Sequence, residues 1–350
     1  MIGFTSGSTG RPKGVMHGWA QMSWVRQFLA DLVDLRPGEA ICVTGAGAGV
    51  PGFTFSTYLG LASGAPIVQA ERWDPRQVLR LMAREGCVWT TMVPTMMYML
   101  LEARQADPQL PLPTSMRGVS MGGAFMADDL IRRARDELGL EVLRVYAMAE
   151  CMMACQMRRS DPESDRDELD GWPGPGADVA VFDEQRRHVP PGRVGELGLK
   201  GPSLFEGYLG DPDGKPTRMT PDGFFLSGDM GRLTPGGFVK VVGRKKDLII
   251  RGGFNIDPVE IEELVRGLDG VRDVAVIGYP DERFGERACA VLVVQDGVDY
   301  DVQGLARHLL AAGLSKEKLP ERVVCTTDVP RSPDGKVLKA KLREQVLSQP

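Results

Sequence analysis

Residues 5–15 read TSGSTGRPKGV, a density of small and hydroxylated residues that calls for a chemical explanation. Gly7, Gly10 and Gly14 can take positive φ and let backbone N–H groups approach an anion. Thr5, Ser6, Ser8 and Thr9 add hydroxyl donors, and Lys13 adds a positive charge. The set suits a phosphate cradle. It equally suits a flexible Gly/Ser linker, and composition does not choose between the two. The pattern G-x-x-x-x-G-K-[ST] of the common nucleoside triphosphatases is absent, since it would place glycine at Pro12 and Ser or Thr at Gly14.

Other candidates are scattered downstream: Tyr146 and Glu150 in YAMAE, Asp229 in SGD, Arg244 and Lys246 in GRKKD, Gly252 and Gly253 in RGGFN, and Lys336 at the end of PRSPDGK. Each has an ordinary reading. Tyr146 suits a strand-end core tyrosine, Glu150 a solvated or helix-starting acid, Asp229 a turn residue, the glycine pair a strand-end turn, and Lys336 a surface lysine. Of the six cysteines only Cys151 and Cys155 are close, at a spacing of four that suits a helix, with no histidine nearby in sequence. Buried, reduced thiols are expected rather than a metal site.

The elements that must position these residues change along the chain. Up to about Tyr146, strand-like runs at 40–44, 65–69, 88–93, 118–121 and 141–146 alternate with amphipathic helical patterns in WVRQFLADLVDL, DPRQVLRLMAREG and DDLIRRARDELG. Asp74 followed by Pro75 forms a helix start. This βαβ alternation predicts a largely parallel sheet with helices on its faces. After about Gly171, ADVAVFD, GELGLKG, GFFLSGD and GFVKVVG predict an antiparallel or barrel-like region. From Arg244, two helical patterns and the strands VRDVAVIGY and ACAVLVVQ predict a small α+β unit.

The 350 residues are 43% hydrophobic and 25% charged, with a net charge of −5 and three histidines. That is a two-domain globular composition, and it argues against a nucleic-acid binder driven by bulk charge. No apolar run reaches the roughly 18 residues of a membrane span, and no charged-then-apolar leader precedes the glycine-rich stretch, so a cytoplasmic protein is expected.

Read whole, TSGSTGRPKGV resembles the signature loop of the adenylate-forming superfamily: acyl- and aryl-CoA synthetases, peptide-synthetase adenylation domains and luciferases. GGA (122–124), YAMAE (146–150), SGD (227–229), GRKKDLIIRGGFNIDPVEIE (243–262) and PRSPDGK (330–336) resemble that family's later segments in its order. The resemblance implies an α/β fold, in which an incomplete N-terminal adenylate-forming domain over residues 1–245 is followed by a mobile α+β domain over 246–350, hinged near Lys246. It implies an acid–thiol ligase using ATP, Mg2+ and coenzyme A: a carboxylic acid is joined to AMP, and a thiol then displaces the AMP. By resemblance, Thr5, Ser6, Gly7, Ser8, Thr9, Gly10 and Lys13 hold phosphates. Tyr146 stacks on adenine against Gly122, Gly123 and Ala124, and Glu150 is associated with magnesium. Asp229 and Arg244 take the ribose, Lys336 bridges the substrate carboxylate and the α-phosphate, and Gly252 and Gly253 flank the thiol channel. Two other readings stay open, a carrier protein loaded in trans and a nucleotide-binding module without catalysis.

The chain departs from the family in three places. Ala147 and Ala149 stand where relatives carry glycine and threonine, and the lost hydroxyl removes a donor worth about 1.5–3 kcal/mol near a charged group. Gly49 stands where many relatives carry a histidine or aromatic residue before a glycine, which, with the methionines around TMVPTMMYMLL, suggests a roomy pocket for a hydrophobic acid, medium-chain or alicyclic. Relatives also carry a long segment ahead of the glycine-rich stretch. A start codon set too far downstream, a split protein with a second chain, or a degenerate fragment would each account for this, and self-association through uncovered apolar surface is expected.

Overall fold

The computed structural model describes residues 1–5, 13–44, 50–123, 126, 128–210, 218–252, 254–331 and 337–347. Two compact units emerge: Met1–Ser227 with Gly231–Val241, and Gly228–Met230 with Val242–Pro350.

In the first unit, seven strands form a sheet in the order Ile67–Gln69, Ile41–Val43, Trp89–Met92, Gly118–Gly122, Val142–Met148, Cys151–Gln156, Trp172–Pro173. The first five are parallel and the last two join antiparallel. Helices cover both faces, which is why the strands read as near-continuous apolar runs. Alternate residues enter opposite cores. Cys42, Val119, Met121 and Val142 pack with Leu79, Leu100 and Ile131 of helices Pro75–Arg84, Pro94–Ala106 and Asp128–Leu138. Their neighbours Ile41, Trp89, Leu143 and Val145 pack with Val25 and Leu29 of helix Trp19–Val33. Asp74 caps its helix as expected, its Oδ1 accepting from the amides of Arg76 at 2.9 Å and Gln77 at 3.0 Å.

Where parallel pairing gives way to antiparallel, Gln156 is fully buried. Its amide donates to the carbonyls of Leu143 (2.9 Å) and Arg144 (3.1 Å), and its Oε1 accepts from Ser120 Oγ (3.1 Å), so its burial leaves no polar atom unmet. The helical spacing expected of Cys151 and Cys155 is replaced by a strand. All six residues of Cys151–Gln156 are buried, so no alternation marks it, and residues four apart also share one face of a strand. A π-helical turn at Phe53–Tyr58 was also invisible in sequence. The indole N–H of Trp89 donates to its Phe55 carbonyl at 3.2 Å.

The β-rich region resolves into two further sheets. One holds Asp178–Phe182, Gly195–Lys200, Phe225–Leu233 and Val239–Arg244 in that order, and the other holds Ile2–Thr5, Lys13–Met16 and Gly207–Tyr208.

In the second unit, strands are ordered Phe254–Ile256, Ile249–Arg251, Gly285–Val294, Val271–Asp281, with Arg322–Thr326 parallel to Gly285–Val294. Helices Pro258–Arg266 and Val302–Ala311 bury Ile261, Val265, Leu305 and Leu309 against one face. Helix Lys339–Leu347 buries Leu342 and Val346 against the other. Asp257 caps the first of these helices, accepting from the Val259 amide at 2.9 Å. No described helix is long and apolar enough to cross a membrane.

Candidate active site

Open parallel sheets present their ligands at the carboxyl ends of the strands, because helix N-termini and chain reversals gather there. At that edge of the first unit, strand Gly118–Gly122 lies beside Val142–Met148. A Cβ on Gly122 would stand 2.3 Å from the Val145 carbonyl oxygen, so only glycine fits, and Gly123 follows at φ +82°. Tyr146, on the neighbouring strand, is 8% exposed and packs among Cys151, Val179, Leu197 and Leu199. The register with Cys151–Gln156 shifts between Tyr146 and Met148, a bulge at Ala147 that re-aims the residues beyond it. Ala124 and Gly49 lie outside the described residues.

Those residues beyond it are Ala149 and Glu150, and two distant stretches, at His17 and at Phe205 to Tyr208, hold them. His17 Nε2–H donates to the Ala149 carbonyl at 2.7 Å, and Phe205 N–H donates to the Glu150 carbonyl at 2.8 Å. Tyr208 O–H donates to Glu150 Oε1 at 2.7 Å. His17 is 2% exposed. Burial holds its pKa below the usual histidine value, and its Nδ1 has no hydrogen-bond partner among the described residues, so the ring is neutral with its proton on Nε2, the atom that meets the carbonyl.

The same Tyr208 meets the strand that leaves the glycine-rich stretch. Ile2–Thr5 and Lys13–Met16 pair antiparallel with Thr5 opposite Lys13. Lys13 is exposed, with its Nζ 5.0 Å from the centre of the Tyr208 ring. The amides of Glu206 and Leu209 donate to the carbonyls of Met16 (2.9 Å) and Gly14 (2.7 Å). Ser6, Gly7, Ser8, Thr9 and Gly10 lie outside the described residues.

In the second unit, Asp229 and Arg244 come together, with Arg244 Nε 3.4 Å from Asp229 Oδ1. The Asp229 side chain is 12% exposed and that of Arg244 50%, so a buried acceptor is met by a half-exposed donor. Lys246 lies exposed in a short 3-10 turn, Lys245–Asp247. Gly252 takes φ +56°, and its amide donates to the Phe284 carbonyl at 2.7 Å. Around the Phe284 ring stand the guanidiniums of Arg251 (4.7 Å), Arg287 (5.1 Å) and Arg283 (5.3 Å). Gly253 and Lys336 lie outside the described residues.

The cysteines are free, and all but half-buried Cys325 are buried, with burial pushing the thiols of Cys151 and Cys289 up to about 11, too high for thiolate chemistry. No three His, Cys, Asp or Glu side chains gather around a point among the described residues. Glu150 offers a single carboxylate. That donor set suits a Mg2+ ion held by one carboxylate, water and a substrate's phosphates, and does not suit an all-protein cage.

Sequence reading singled out Lys13, Tyr146, Glu150, Asp229 and Arg244, but missed His17 and Tyr208. Neither has a local signal beyond its flanking glycines, Gly18 and Gly207, the latter at φ +153°. Their partners lie 132 and 58 positions away.

Comparison with known proteins adds to this geometry. Residues 1–209 match the family model described as AMP-binding enzyme, and residues 260–336 match that of the AMP-binding enzyme C-terminal domain. A salicylyl-CoA synthase / salicylate adenylyltransferase of Streptomyces sp is 36% identical over 82% of this chain and 52% of its own length. The 2-hydroxy-7-methoxy-5-methyl-1-naphthoate–CoA ligase of Streptomyces carzinostaticus is 31% identical over 98% of this chain and 62% of its own. Among solved structures, ATP-bound MatB from Rhodopseudomonas palustris superposes with a TM-score of 0.91 at 32% identity, covering 99% of this chain and 68% of that one. The chain thus spans between half and two thirds of the length of these two curated relatives.

Proposed function

The chain belongs to the AMP-binding enzyme family, and from that premise we propose that it serves an AMP-forming acyl-CoA synthetase acting on a hydrophobic carboxylic acid. The substrate carboxylate oxygen attacks the α-phosphorus of ATP, the bond to the β-phosphate oxygen breaks, and pyrophosphate leaves. The thiol of coenzyme A then adds to the acyl carbon, loses its proton, and AMP departs. The first step brings two anions together, so positive charge and fixed donors must be in place before it occurs.

Thr5, Ser6, Gly7, Ser8, Thr9, Gly10 and Lys13 are assigned to the β- and γ-phosphates. Gly122, Gly123, Ala124 and Tyr146 are assigned to adenine, and Asp229 with Arg244 to the ribose hydroxyls, for which a carboxylate is a two-point acceptor. Glu150 would hold Mg2+, which when bound neutralises phosphate charge. Lys336 is assigned the cation that meets charge developing only in the transition state. Lys246 is taken as the hinge between domains 1–245 and 246–350. Gly252 and Gly253 are assigned to the thiol channel, where the three arginines around Phe284 are suited to a phosphate-bearing thiol. The observation that carries the reading is the meeting of Lys13 and Glu150, a cation and a carboxylate far apart in sequence, on the single side chain of Tyr208.

Lys336→Ala should reduce acyl-adenylate formation, read as acid-dependent exchange of labelled pyrophosphate into ATP, by about a hundredfold or more. Undiminished exchange would overturn the assignment. Offering coenzyme A and a phosphopantetheinylated carrier protein side by side identifies the acceptor. Ala149, in the place of threonine, favours a second reading, in which the chain binds nucleotide without turnover; ATP binding with no exchange under any acid would establish it. Self-association, or pairing with a second chain, is proposed through the exposed apolar side chains Phe4, Trp19 and Leu209, and a cytoplasmic location is proposed with it.

A further inference from the structure

The geometry points to Tyr208 as a positioning residue that fixes the Glu150 carboxylate for a magnesium-bound nucleotide, and this rests on the assignment of Glu150 above. Tyr208 directs its hydroxyl proton at Glu150 Oε1 at 2.7 Å, while Oε2 accepts no hydrogen bond among the described residues. A phenol bonded to a carboxylate is charge-assisted, so it is short and directional. One oxygen is anchored, and the other keeps its lone pairs for a cation or its water shell.

The anchor itself is well braced. Phe205 packs edge-on against the Tyr208 ring, with centroids 5.0 Å apart, and Lys13 Nζ lies 5.0 Å from the ring centre. Gly207, immediately before it, holds φ +153°, a region costly for any residue with a Cβ. The Glu150 backbone is held by Phe205, and the preceding carbonyl by His17. Little freedom is left to Glu150 except rotation of its own side chain, and the Tyr208 hydroxyl removes that. Because the ring also faces Lys13, a single side chain ties the carboxylate's pose to the lysine that ends the phosphate-binding stretch.

Tyr208→Phe tests this, since phenylalanine keeps the contacts with Phe205 and Lys13 and loses only the hydroxyl. Calorimetric titration of the 350-residue chain with ATP, once with excess Mg2+ and once with chelator, gives a readout independent of turnover. Tyr208→Phe should weaken Mg·ATP roughly three- to tenfold, leave metal-free ATP unchanged, and add nothing further in a Glu150→Gln background. If Glu150→Gln weakens Mg·ATP and Tyr208→Phe does not, the positioning role is wrong. It is equally wrong if Tyr208→Phe weakens both titrations alike, which would make the hydroxyl a general structural contact. If Glu150→Gln binds as the unmodified chain does in both titrations, the assignment of Glu150 fails and the inference falls with it.

Discussion

Asp257 offers a test in which one atom changes and the sign depends on pH. Its carboxyl is pushed up from 3.8 to about 6, first by burial; Glu260 and Glu262 add to the rise, while the Val259 amide and Lys339 oppose it. The carboxyl lies so close to the chain that a Cβ on Gly243 would stand 2.8 Å from its Oδ1. In the unfolded chain Asp257 ionises near 3.8, and in the folded chain it resists ionisation until about 6. The folded state therefore binds the extra proton between these values. The ionisation cost fades out over the pH unit below the lower value, grows as pH rises through the window, and is complete above the upper one. At 1.36 kcal/mol for each pH unit of separation it reaches about 3 kcal/mol. An asparagine side chain at this position would keep an oxygen for the Val259 amide, since asparagine caps helices as well as aspartate does. Asp257→Asn should then stabilise the second unit by about 2–3 kcal/mol near pH 8 and by only about 0.5 kcal/mol near pH 4. Urea unfolding of both proteins across this range, read as their difference, cancels every other titrating group. A difference that stays constant with pH, or a variant less stable near pH 8, would refute the reasoning.

Two further expectations concern the first unit. Ala149→Thr returns a hydroxyl donor at a backbone position already fixed by His17, and should raise the rate of pyrophosphate exchange about tenfold, the lower end of what a hydrogen bond to a charged group allows; an unchanged or lower rate would show that the hydroxyl has no place there. Phe4 and Trp19 are 68% and 79% exposed, so light scattering after size-exclusion chromatography should show a mass that rises with concentration. Phe4→Glu should suppress that rise, and a monomer throughout the dilution series would count against self-association.

What could be read from the sequence was what is local. Asp74 followed by Pro75 announced a helix because the capping residue and the helix are adjacent. The five parallel strands announced themselves by β-rich runs between amphipathic helices, and both glycines of the 122–123 pair sit where a side chain would collide or φ is positive. Strand Cys151–Gln156 could not be read, since burial on both faces erases the period of two. Nor could His17 and Tyr208, whose roles are set by atoms that only the completed fold brings near. The motif residues Lys13, Glu150, Asp229 and Arg244 were visible as types and spacings, but the phenol joining the first two was not.

The turn at Ala149 and Glu150 draws its support from His17, 132 positions earlier, and from Phe205 to Tyr208, more than 50 positions later. Ordering it means closing two long loops whose entropy is lost before any contact offsets it. A growing chain whose first 150 residues have emerged from the ribosome holds all five parallel strands, yet cannot set that carboxylate until residue 208 has emerged as well. The sheet comes first in synthesis, and the pose of the Glu150 carboxylate is set only when the stretch from Phe205 to Leu209 brings its amides and the Tyr208 hydroxyl.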